Sequence, residues 1–81
     1  MTRAFKVIVK KYEHGYVAQA VGFNGAVLGE GDTYEEALAD VTSAIRCAVE
    51  TFGDEALDSE LPVLDVAVAE VHVAMDAKVS R

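Results

Sequence analysis

Gly25 to Ala37 reads Gly-Ala-Val-Leu-Gly-Glu-Gly-Asp-Thr-Tyr-Glu-Glu-Ala and commits the chain to a strand, a tight turn and a capped helix start within one short span. Asn24-Gly25 offers two residues that tolerate positive φ, so a turn there feeds a short strand from Ala26 to Leu28 or Glu30. Gly31 is read with Gly15 and Gly25 as a turn glycine. Asp32 or Thr33 then presents a side-chain oxygen to the orphan N–H groups of a helix, and Thr33 with Glu36 has capping-box spacing. Glu35 and Glu36 stand where the helix dipole favours negative charge.

Beyond the cap, Ala37, Leu38, Val41, Ala44, Ile45, Ala48, Val49 and Phe52 recur at three- and four-residue steps. Glu36, Asp40, Thr42, Ser43, Arg46 and Glu50 fall mainly on the opposite face, which predicts one amphipathic helix from about Thr33 to Phe52 with Gly53 just past its end. Upstream, Ala4 to Tyr12 alternates, with Phe5, Val7 and Val9 on one side and Lys6, Ile8, Lys10 and Tyr12 on the other. Glu13-His14-Gly15 breaks that period and Tyr16 to Val21 resumes it, the pattern of an antiparallel hairpin. Downstream, the acidic stretch Asp54 to Glu60 with Pro62 reads as a loop holding a short helical turn. Val63 to Met75 is the longest β-like run, with a change of parity near Ala69-Glu70 that reads as a bulge or bend, and residues 77–81 are expected to fray.

These elements predict an α+β domain: a three-stranded antiparallel meander, one long amphipathic helix packed on the sheet, and a final long strand. The whole chain, 1–81, is read as one domain with its core at about 4–75. Such a chain buries only about 60% of its unfolded surface. The last run is apolar on both parities while a single helix can cover only one sheet face, so a homo-oligomeric contact or a protein partner is expected on the other.

Charge and chemistry narrow the function classes. Net charge is −7. Residues 1–29 carry Arg3, Lys6, Lys10 and Lys11 against Glu13, whereas residues 30–60 carry ten acids against Arg46 alone. That acidic half repels a phosphate backbone, so direct nucleic-acid binding is not expected, and Glu35, Asp40 and Glu50 form a candidate surface for a basic protein partner. His14 and His72 are far apart with no metal-ligand spacing around them, and Asp54, Glu55, Asp58 and Glu60 lack the alternation and central glycine of a calcium loop. Ser43, Ser59, Ser80 and Cys47 have no evident base, so no catalytic residue, metal or cofactor is expected. Gly25, Gly29 and Gly31 precede a helix as a phosphate cradle does, but Glu30, Asp32, Glu35 and Glu36 oppose phosphate there, which leaves the glycines to turns. Cys47, alone and inside the helical pattern, is read as a small buried apolar residue. No apolar run reaches the roughly 20 residues of a membrane span, and the N-terminus lacks a signal-peptide block, so a cytoplasmic location is expected.

The lysine-bearing first strand, the Gly15-Tyr16 hairpin, the turn ending in Gly25 and the Gly-Asp-Thr-x-Glu-Glu-Ala motif at Gly31 to Ala37 together resemble the HicB-like antitoxin domain over about Phe5 to Phe52. The resemblance implies a partial ribonuclease-H-like β-β-β-α-β fold without nuclease activity, with Val63 to Met75 as its last strand. It also implies binding to a small basic RNA-cleaving toxin. Family members often add a DNA-binding segment; the residues after Met75 leave no room for one, so toxin neutralisation without DNA binding is the expectation. Phe23-Asn24-Gly25 stands where many relatives have a Leu-Pro-Gly-like turn, and Asp54 to Glu60 looks like an insertion. The other reading is a self-associating structural or adaptor domain with no toxin.

Overall fold

The computed structural model describes residues 3–57 and 63–75. The alternating segments of the first half form a three-stranded antiparallel sheet in the order β1–β2–β3, with β1 at Val7–Tyr12, β2 at Gly15–Ala20 and β3 at Leu28–Gly31. Val7 pairs with Ala20, Val9 with Ala18 and Tyr12 with Gly15, so Glu13 and His14 make the connection. Gly15 takes φ +146°, and a Cβ there would lie 2.8 Å from the Gly31 carbonyl oxygen. Two constraints therefore fix glycine at that position.

The helix α1 runs Tyr34–Phe52, with Thr33 as its N-cap. Thr33 Oγ1 accepts from the Glu36 N–H at 3.1 Å. The Glu36 carboxylate reaches past the cap residue and accepts from the Asp32 N–H at 2.9 Å, one residue further than the usual capping box. Gly53, at φ +59°, donates its N–H to the Val49 carbonyl and begins a short 3₁₀ helix, Gly53–Ala56.

Packing between α1 and the sheet explains the composition. The helix-facing side presents Val7 and Val9 from β1, Ala18 and Ala20 from β2, and Gly29 and Gly31 from β3. A Cβ on Gly29 would sit 2.2 Å from the Val41 nitrogen, and one on Gly31 would sit 2.5 Å from the Glu36 Cβ. The helix thus rests on β3 at backbone distance. Ala18, Ala37 and Val41 are fully buried and Ala20 nearly so, with Tyr16, Phe23, Val27, Leu38 and Ile45 packed around them. Close approach replaces bulk as the source of the core's density.

Several expectations are corrected. Gly29 and Gly31 lie in β3 and admit the helix; they do not form turns. Positive φ between β2 and β3 belongs to Gly22, at +92°, and not to Asn24 or Gly25, although the chain bends at both places. From there Phe23 bridges Leu57, and Asn24 is held to the 3₁₀ helix: its N–H donates to the Ala56 carbonyl and its Nδ2 to the carbonyls of Glu55 and Leu57. Cys47 is exposed, since Ala44, Ile45 and Ala48 occupy the inward side of that helix turn. Residues 63–75 make no strand ladder with the three-stranded sheet of their own chain. The described elements are β-β-β-α with one 3₁₀ turn, an α+β arrangement. Asp58, Glu60, Pro62 and 77–81 lie outside the described residues.

Candidate interaction surface

The two edges of the sheet are finished differently, and this organises the molecular surface. On β3, the Glu30 N–H donates to Asp40 Oδ2 at 2.9 Å, while the next-but-one amide, Asp32 N–H, is held by Glu36. Glu36 and Asp40 are one helical turn apart, so successive carboxylates of α1 occupy backbone donors that another strand would otherwise take. Asp40, expected on a partner-facing surface with Glu35 and Glu50, is exposed and also accepts a hydrogen bond within the chain. Its side-chain direction follows from the helix lying over Gly29 and Gly31, which periodicity alone does not specify.

Glu35 and Glu50 are exposed, as are Ala39, Ser43 and Arg46 on the outward side of α1. Where the hairpin end meets the start of α1, a cleft of about 480 Å³ opens between Tyr12, His14, Tyr16, Glu30, Asp32 and Glu36. Gly15 and Gly31 also line it. Tyr16 meets Tyr34 edge to face at 6.4 Å, and the Lys11 ammonium lies 5.9 Å from the Tyr16 ring centre. Carboxylates and aromatic rings together suit a lysine or arginine side chain and oppose an anion. This cleft draws on all three strands and the helix; in the sequence its only trace is the recurrence of tyrosine and glycine at Tyr12, Gly15, Tyr16 and Gly31.

On the sheet face away from α1, Ile8, Val17 and Leu28 share the surface with Lys10, Tyr12, Gln19 and Glu30, and no described element covers them. Leu28 is 51% exposed. Beside β1, residues 65–68 follow the edge: Lys6, Ile8 and Val9 share a shallow groove with Asp65, Val66 and Val68, and Lys6 Nζ lies 3.9 Å from Asp65 Oδ1. Among the described residues, no three His, Cys, Asp or Glu side chains gather as metal ligands, and no helix is long and apolar enough to cross a membrane. No protein-family model matches this chain, and neither a curated protein nor a solved structure does.

Proposed function

We propose that this chain is a HicB-like, antitoxin-type protein-binding domain that neutralises a small basic RNA-cleaving toxin in the cytoplasm, with no enzymatic activity and no DNA binding of its own. The observation that supports this reading is a discontinuous acidic rim: Glu30 and Asp32 at the hairpin-end cleft, Glu35 exposed in the first turn of α1, and Glu50 exposed near the far end of that helix, beyond Arg46. A toxin that holds RNA through lysine and arginine presents a surface complementary to that rim, and docking there sets its cations against carboxylates in place of phosphates. In this reading one cationic side chain of the toxin anchors in the cleft against Glu30, Asp32 and Glu36.

Co-expression with the small basic protein encoded beside it tests the reading. Relief of that protein's growth arrest is expected, with Glu35→Lys/Glu50→Lys weakening complex formation by about tenfold or more through like-charge contact. An inert neighbour, or arrest that persists despite folded chain, contradicts it. A self-associating domain without a toxin is the second reading, and the apolar exposure of residues 63–75 favours it.

A further inference from the structure

We infer that residues 69–75 form a dimerisation arm that pairs antiparallel with the same residues of a second copy, centred on His72. Residues 65–68 lie beside β1, held at Lys6–Asp65, but 69–75 are exposed along their whole length. Val71, Val73 and Met75 keep 83%, 70% and 73% of their surface in solvent. An apolar stretch of that kind on a folded chain marks a contact with another molecule.

The pattern of the arm selects the partner. Ala69-Glu70-Val71-His72-Val73-Ala74-Met75 is symmetric in character about His72: valine lies at one step on either side and an apolar residue at three steps. Antiparallel pairing about a two-fold axis at His72 sets Val71 against the partner's Val73 and Ala69 against the partner's Met75. Because strand side chains alternate, Ala69, Val71, Val73 and Met75 of both arms then share one face. The other face holds Glu70 and His72, with each Glu70 opposite the partner's Ala74, so no acid meets an acid directly. A register shifted by one residue places valine opposite histidine and loses this match; an axis at Val71 would draw Ala67 and Val68 from their place beside β1, and one at Val73 would set Glu70 against the partner's Asp76. The contact is isologous and closes at two copies.

Other positions for the arm fit less well. The β3 edge is occupied by Asp40 and Glu36. Along its own β1, 65–68 border Lys6 to Val9, where Val68 remains 88% exposed, and 69–75 beyond them are exposed throughout and do not continue along that edge. The dimer is independent of the toxin reading, since it uses neither α1 nor the hairpin-end cleft.

Register-specific cross-linking tests it in the full chain carrying Cys47→Ser. His72→Cys is expected to form a disulfide-linked dimer under mild oxidation about tenfold faster than Glu70→Cys, because directly opposed residues of an antiparallel pair have Cα atoms about 4.5–5.5 Å apart, within disulfide reach. Glu70→Cys and Ala74→Cys chains are expected to cross-link when mixed. Cross-linking at 70 as fast as at 72, or at neither position, overturns the arm pairing. Val73→Asp provides a second readout: it is expected to raise the dimer dissociation constant by about tenfold or more in sedimentation. Since Val73 is exposed, thermal unfolding of the dilute monomer stays unchanged. Unaltered self-association in that variant, or a wild-type chain that remains monomeric at high concentration, also overturns the proposal.

Discussion

The β3 and β1 edges belong to one small sheet, yet they are built on opposite principles. At β3, glycines remove the side chains that would hold the helix off, and α1 returns carboxylates to the exposed amides. At β1, Lys6 makes a 3.9 Å contact with Asp65, and both side chains remain more than half exposed. Close packing and charge-assisted hydrogen bonds therefore concentrate on one side, while the other is bordered by a segment that keeps Val63, Val68, Val71 and Val73 in solvent. A small domain that leaves so much apolar surface on one flank has its stability at one end and its capacity for association at the other.

Substitutions that disturb the β3 side should cost the most. Gly29→Ala forces a methyl into the Val41 backbone, and neither element is a flexible side-chain tip that can yield. A loss of about 3 kcal/mol is expected, seen as a fall in Tm of about 12 °C or more; a change of less than about 2 °C would mean that α1 does not rest on β3 at backbone distance. Asp40→Ala leaves the Glu30 N–H without its carboxylate, and about 1 kcal/mol in denaturant unfolding is expected. The same measurement on Lys6→Ala sharpens the contrast from the other edge: an exposed ion pair at that distance contributes less than about 0.5 kcal/mol. If Lys6→Ala cost more than Asp40→Ala, the two edges would have to be exchanged in this account.

Local chemistry made much of the fold legible. The helix was readable because Ala37, Val41 and Ile45 repeat at its own period and because Thr33 and Glu36 lie within one turn of each other. The hairpin was readable because Val7, Val9, Ala18 and Ala20 alternate on segments separated by Glu13-His14. What depends on where the helix lands was not readable. Gly29 and Gly31 resemble turn glycines until α1 is placed over them, and the bond that the exposed Asp40 accepts from Glu30 has no trace until β3 passes beneath it. Asn24 joins the 3₁₀ helix through bonds spanning 31 and 33 residues, a range over which periodicity carries no signal. Of the candidate surface, the exposure of Glu50 followed from the helical period. The cleft between Tyr12, Tyr16, Asp32 and Glu36 did not, because four separate elements bring it together.

Residue-resolved amide hydrogen exchange on the dilute chain tests the contrast between the edges most directly. The Glu30 and Asp32 amides, held by Asp40 and Glu36, are expected to exchange slowly, together with the β2 amides beneath α1, while those of 69–75 exchange at nearly unprotected rates. Amides of 69–75 as slow as that of Glu30 in the monomer, or a Glu30 amide exchanging as fast as those of the arm, would contradict the account.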